Sequence, residues 1–380
     1  MTNVRVLGMA ICLASTPAFA LEQGEYTFNG FGTAGITHLG GEDSGNQGYG
    51  ATGQTTDGWR GDQLSKFGGQ FQYGLTDTVG FTAQATAKPA QDEWEANVEW
   101  LYLSWQANDN LMVRGGRLRT PVYMYSESID VGFSYPWLRL PDEVYSQVQL
   151  SNYEGADAVY TLPISFGSVA FQVAGGQAKD RDIFSLDDMH DIDYNKIFGA
   201  NVSLSTNDFG MFRVGYVEAD LKANIQDDFS VLGLDVKNYS FNNLDHQKGK
   251  FTSLGYQYDN GTWLTSNEWT SRVIEADGTG STDAFYLMGG RRFGEFLAHV
   301  TYAQVDEDAG RQDSMTYGLN YNLLPTVVLK GEYKRVDTSG NSYEGVFVRD
   351  AQQTVDDRFG LTSAHNPDGD IFSVGVDFVF

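Results

Sequence analysis

Residues 371–380 read Ile-Phe-Ser-Val-Gly-Val-Asp-Phe-Val-Phe, with the large apolar side chains on alternate positions. Successive side chains of an extended chain point to opposite sides, so Phe372, Val374, Val376, Phe378 and Phe380 share one face and Ser373, Gly375 and Asp377 the other. A terminal strand this apolar frays unless its greasy face is covered and its edge is paired.

Working back from that strand, the same alternation recurs in sixteen segments of roughly ten residues, from Glu25–Leu39 to Asp370–Phe380. The connections between them alternate in kind. Seven are tight and rich in turn formers, among them Leu75-Thr76-Asp77, Asp109-Asn110, Asn260-Gly261 and Gly294-Glu295. The other eight are longer, including 40–62, 119–152, 179–194, 221–247 and 337–369. An even strand number, short turns on one side and long loops on the other predict an all-β chain folded as a 16-stranded antiparallel transmembrane barrel. Only helices and closed barrels cross a bilayer without stranding backbone polar groups, and no apolar run beyond the amino terminus approaches the length of a membrane helix.

The amino terminus itself reads as a secretory signal. A basic start through Arg5, the apolar stretch Val6–Ala14 and the small-x-small triplet Ala18-Phe19-Ala20 predict a cleaved segment 1–20 and a mature barrel 21–380. The sole cysteine, Cys12, falls within the segment removed. The mature chain is acidic, with 24 basic residues against 50 acids, which disfavours a nucleic-acid partner. The acidity is local: the eight long connections carry 33 acids and 10 bases, a net charge of −23. That rim suits solubility, or Ca²⁺ or Mg²⁺ bridging loop carboxylates to lipopolysaccharide phosphates; no other metal or cofactor is expected.

Alternation also assigns faces. Val327, Leu329 and Tyr333 oppose Lys330, Glu332 and Lys334; Val113 opposes Arg114; Phe212, Val214 and Tyr216 oppose Arg213. Charge on the lipid face at mid-bilayer costs about 2–4 kcal/mol, so the charged faces turn inward. Side chains fill a bore of eight strands but not one of sixteen, which leaves an aqueous channel. Tyr256, Tyr258, Phe293, Tyr321, Phe378 and Phe380 at strand ends suit interfacial aromatic girdles.

The mature chain resembles the Gram-negative outer-membrane porins, through the ending "FSVGVDFVF", the opening "YTFNGFGTAGI" and the stretch "VRGGRLRTP". The resemblance implies an outer-membrane homotrimer that passes small polar solutes and ions by diffusion. It also makes Phe372, Phe378 and Phe380 part of the insertion signal read by the barrel-assembly machinery. It further implies that the third long connection, 119–152, folds into the barrel and narrows it. That connection is rich in aromatics that want cover: Tyr123, Tyr125, Phe133, Tyr135, Trp137 and Tyr145. Its acids Glu127, Asp130, Asp142 and Glu143, with Arg139 beside them, are then expected to face the wall bases Arg114, Arg213, Lys330 and Lys334 across the constriction. The acidic Pro-Glu-Phe-Gly-Gly loop motif of the general porins is missing, so the loop's role carries over and no single residue does. Pro89–Glu95 is a candidate latch onto a neighbouring subunit.

Three other functions remain open at this point. A substrate-selective channel would use the loop tyrosines and Trp137 as a greasy slide for a sugar or small organic acid. A barrel hydrolase would need a base beside a nucleophile, and His299, expected in the lumen, is the histidine to watch; no triad or metal spacing stands out, and no enzyme is expected. A soluble β-sandwich binder would pack its apolar faces on each other.

Overall fold

The computed structural model describes residues 21–41, 48–50, 53–90, 93–186, 188–231, 234–275, 280–340, 343–348, 352, 355–356, 360 and 366–380. The expected signal segment 1–20 and part of the Pro89–Glu95 stretch lie outside the described residues. Sixteen strands are present: β1 (Tyr26–Gly40), β2 (Lys66–Gly74), β3 (Val79–Ala90), β4 (Glu93–Asn108), β5 (Leu111–Arg119), β6 (Asn152–Ile164), β7 (Gly167–Ser185) and β8 (Asp188–Thr206). They continue as β9 (Gly210–Val231), β10 (Leu234–Asp259), β11 (Trp263–Ile274), β12 (Ser281–Phe293), β13 (Phe296–Glu307), β14 (Gly310–Leu324), β15 (Val327–Gly340) and β16 (Asp368–Val379).

Each strand pairs antiparallel with the next, and β1 pairs with β16, so the sheet is a closed barrel without a free edge. The closing seam answers the question set by residues 371–380. Phe31 stands opposite Val379, and Gly30 and Phe380 exchange backbone hydrogen bonds at 2.8 and 2.9 Å. Turn chemistry sets the register at the short end. At Asn260-Gly261 the glycine takes φ +83°, and the Asn260 side-chain oxygen accepts the N–H groups of Thr262 and Trp263.

The assigned faces hold. Leu287, Val300, Leu319, Leu329 and Val374 are exposed on the outside, while Arg114, Arg213, Asn320, Lys330 and Asp377 are buried on the inside. Exposed aromatics, among them Tyr26, Phe166, Phe209, Trp263, Phe293 and Phe380, mark the short-turn interface.

One expectation needs correction. Residues 179–194 and 221–247 are largely not loops: β7 and β8 stay paired to Ser185↔Asp188, and β9 and β10 to Val231↔Leu234. Face polarity inverts along these strands. On the lower part of β9, Phe212 and Val214 face out and Arg213 faces in; higher up, Val217, Ala219, Leu221, Ala223 and Ile225 are buried inside, while Lys222 and Asn224 are exposed. The inversion marks the level at which the outer surface passes from hydrocarbon to water, and above it the hairpins pack an apolar interior as a soluble sheet does.

Candidate functional site

The segment 120–151 leaves β5 after Arg119 and forms two short 3-10 turns, Ser126–Ser128 and Gly132–Ser134, and one helical turn, α1 (Asp142–Tyr145). Most of its aromatics are buried. Trp137 is 1 % exposed, donates Nε1–H to Thr301 Oγ1 at 2.8 Å, and meets the Tyr286 ring edge-on. Tyr125 packs edge-on against both Tyr135 and Trp137.

The wall residues that hold this segment alternate with the lipid-facing ones, so the segment lies against the inner wall. Lys330 of β15 donates to the carbonyls of Gly132, Tyr135 and Trp137 at 2.8, 2.6 and 2.9 Å. Asn320 of β14 reaches the Pro136 carbonyl, Arg213 of β9 the Pro121 carbonyl and Ser253 of β10 the Val122 carbonyl. Two wall carboxylates accept backbone N–H groups: Glu268 from Met124 at 2.7 Å and Glu332 from Leu138 at 2.8 Å. Tyr145 adds its hydroxyl to Glu268 at 2.7 Å. Gly132 makes the closest approach, since a Cβ there would stand 2.3 Å from Asp377 Oδ1 and 2.7 Å from Thr33 Oγ1.

Some of the expected charges meet. Arg114 grips Asp157 with two N–H groups and Glu127 with one at 3.1 Å, and Lys334 lies 3.2 Å from both Asp142 and Glu143. Glu143 is fully buried, and burial works to raise its pKa; the Lys334 charge and hydrogen bonds from Ser314 and Gln312 outweigh it and hold the carboxyl below its ordinary range. The Tyr49 hydroxyl, donated onto by Lys334 at 2.9 Å, is pushed well up by burial and by Glu143.

Other expected partners do not meet. Lys330 pairs with Asp377 of β16 at 2.6 Å and, among the described residues, with no loop acid, and Arg213 spends itself on a carbonyl. Arg139 turns to Thr55 Oγ1 at 2.8 Å, and Asp130 is held by Arg119 and, at 3.5 Å, by Lys88. Most of these groups are nearly closed to solvent, so they fasten the segment to the wall instead of facing one another across water. Glu127 keeps a quarter of its side chain exposed.

Several anchoring residues escaped the sequence reading: Lys66, Lys88, Glu99, Arg119, Asp157, Glu268 and Tyr49. Lys66, Lys88, Asp157 and Glu268 sit at inward parity, which would have flagged them; Glu99, turned inward only at a β-bulge of β4, Arg119, which has the opposite parity to Arg114, and Tyr49 carry no such signal. His299 also points inward, 3 % exposed, with its ring over Gly318 and edge-on to Trp137; among the described residues no hydroxyl or carboxylate is hydrogen-bonded to it. Among the described residues no three His, Cys, Asp or Glu side chains converge to hold a metal.

No protein-family model and no curated protein sequence matches the chain. Its fold has solved counterparts. The outer-membrane channel DcaP of Acinetobacter baumannii superposes with a TM-score of 0.59 at 10 % identity over 94 % of this chain and 98 % of that one. The anion-selective porin of Comamonas acidovorans gives 0.57 at 16 % over 94 % and 100 %, and the trimer form of OmpT, an outer membrane protein of Vibrio cholerae, gives 0.55 at 14 % over 94 % and 100 %. The class that barrel and inner-wall geometry define is the Gram-negative outer-membrane porin fold.

Proposed function

We propose that the chain is an outer-membrane channel that passes small polar solutes and ions by diffusion through a bore narrowed by the segment 120–151. The observation that carries this reading is a closed barrel, apolar outside and polar inside, with that segment anchored along its inner wall. An apolar outer surface belongs in a bilayer, and the porin fold belongs to the Gram-negative outer membrane. Sixteen strands enclose more space than wall side chains fill, and the remainder is partly taken up by the aromatic cluster around Trp137. In this role Glu127, a quarter of its side chain exposed, borders the narrowed passage, while Arg114, Lys334, Asp142, Glu143, Lys330, Arg213, Asp130 and Arg139 set the position of the segment that narrows it.

Lipopolysaccharide around the acidic rim, the barrel-assembly machinery at Phe380 and two further copies of the chain are the partners this role requires. A trimer form among structures of the same fold supports the last. A lumen hydrolase is the reading we set aside, because His299 packs on Gly318 and Trp137 and, among the described residues, no hydroxyl or carboxylate is hydrogen-bonded to it. The test is single-channel conductance in planar bilayers with neutral solutes of graded size. Stepwise currents in threes, blocked by solutes smaller than those that block wide porins, are expected; a bilayer that stays silent at high protein concentration overturns the proposal.

A further inference from the structure

The interior of the extended hairpins poses a problem that the channel function does not answer. Above the level where face polarity inverts, the bore is lined by Ile192, Ile197, Val217, Leu221 and Phe251, with Val122 of the segment 120–151 among the lining residues. These residues surround an apolar cavity of about 190 Å³. An apolar cavity of roughly 150 Å³ stays dry and takes up benzene, so this one has room for a six-membered ring. A second cavity of about 290 Å³ adjoins it and shares Gln147, Gln149 and Arg272. Its other lining groups include Ser146, Thr282, Glu307 and Glu344.

We propose that these two chambers form a binding site for a compact solute with an apolar, ring-sized body and a cationic or neutral hydrogen-bonding end. The apolar chamber takes the body, since burial of hydrocarbon there recovers dispersion contacts that the empty walls lack. The second chamber takes the polar end, and its charges decide the sign. The Arg272 guanidinium is already engaged, donating to the Gln147 carbonyl at 2.9 Å and Thr282 Oγ1 at 2.8 Å and lying 3.4 Å from Glu307. One guanidinium stands against two carboxylates, under an acidic rim, so an anionic end is disfavoured. Mouths of β-barrels and pockets with a few convergent polar groups are favoured ligand sites. This inference rests on the channel reading and names the solute class that reading leaves open.

Benzylamine, benzyl alcohol, benzoate and glucose separate the possibilities when their binding to the full chain in lipid nanodiscs is followed by saturation-transfer NMR, with current block in planar bilayers recorded alongside. Saturable binding of the first two is expected, at least tenfold tighter than benzoate, with none for glucose. Ala219→Leu fills the apolar chamber from β9 and is expected to weaken benzylamine binding tenfold or more. Should Ala219→Leu fail to insert, Val217→Thr, of the same shape but polar, is expected to weaken it severalfold. Equal binding of benzoate and benzylamine, or binding that neither substitution alters, overturns the site. Because NMR reads the site without current, a protein that binds but does not conduct would sink the channel reading alone, and one that conducts without saturable binding would sink this inference alone.

Discussion

Lys330 Nζ and Asp377 Oδ2 stand 2.6 Å apart on neighbouring strands with both side chains almost wholly withdrawn from solvent, and the three ammonium hydrogens go to carbonyls of the segment 120–151. Asp377 supplies countercharge to a cation whose donors are committed elsewhere, and its other oxygen accepts from Thr33. The pair thus ties neighbouring strands β15 and β16 to the segment 120–151.

Lys330→Met removes that tie and leaves a buried carboxylate uncompensated. Loss of one partner of a buried pair typically costs about 3–5 kcal/mol. Guanidinium unfolding in lipid vesicles should show a loss of this size, and single-channel conductance should rise as the segment lifts. The double variant Lys330→Met, Asp377→Leu should recover part of the stability without restoring the low conductance. A Lys330→Met channel with unchanged conductance would mean that the segment is held by its other anchors.

Gly132→Ala tests the same approach from the loop side. The added Cβ would overlap Asp377 Oδ1 and Thr33 Oγ1, so the backbone must withdraw from Lys330. Overpacking of this kind costs roughly 1–3 kcal/mol, and conductance should again increase. Gly115→Ala meets nothing within 4 Å and is the control expected to behave as the parent chain.

Acid should act on α1. Glu143 is held below its ordinary value, so its contribution is fully present above about pH 4.5 and is lost as pH falls through the folded-state value. Protonation weakens its attraction to Lys334 and frees the helical turn. Conductance recorded from pH 7 down to pH 3 should therefore change on an acidic limb. Glu143→Gln keeps the hydrogen-bonding shape without the charge and should flatten that limb; an identical pH profile in the variant would exclude Glu143 as its source.

What the sequence made legible follows from where water and lipid enforce period two. Within the bilayer every outward position is selected against charge, so the parity of Leu329 against Lys330 or of Val214 against Arg213 can be read directly. Above it the signs reverse, and the run Val217-x-Ala219-x-Leu221-x-Ala223-x-Ile225, with Lys222 and Asn224 between, looks like a polar loop to an eye tuned to lipid-facing strands. Left-handed residues at Lys196 and His246 accompany register shifts that break the alternation further. For the site, residue types were legible and partners were not. Lys330 and Asp377 lie 47 positions apart and meet only because β15 and β16 are neighbours in register, with Lys330 opposite Gly375. Arg139 was assigned to the bore with nothing in the sequence to reveal Thr55.

The outward parity itself can be tested on β12, where Leu287 is half exposed on the outer face and its neighbour Met288 is 1 % exposed inside. Arginine on the lipid face near the bilayer midplane costs about 2–4 kcal/mol and falls to about 0–1 near the interfaces. Leu287→Arg, placed centrally in a strand running from Ser281 to Phe293, should fall near the upper figure, and Phe293→Arg at the strand end near the lower. Met288→Ala should also destabilise, but through a cavity that forms inside, so its cost should not depend on bilayer thickness, whereas the Leu287→Arg penalty should shrink in thinner lipid. A membrane-soluble photoprobe reports the same parity without mutation: it should mark Leu319, Leu329 and Val374 and spare Lys330. If Leu287→Arg were tolerated and Lys330 were labelled, the inside and outside of the barrel would have to be exchanged, and the buried anchors of the segment 120–151 would then face hydrocarbon that cannot hold them.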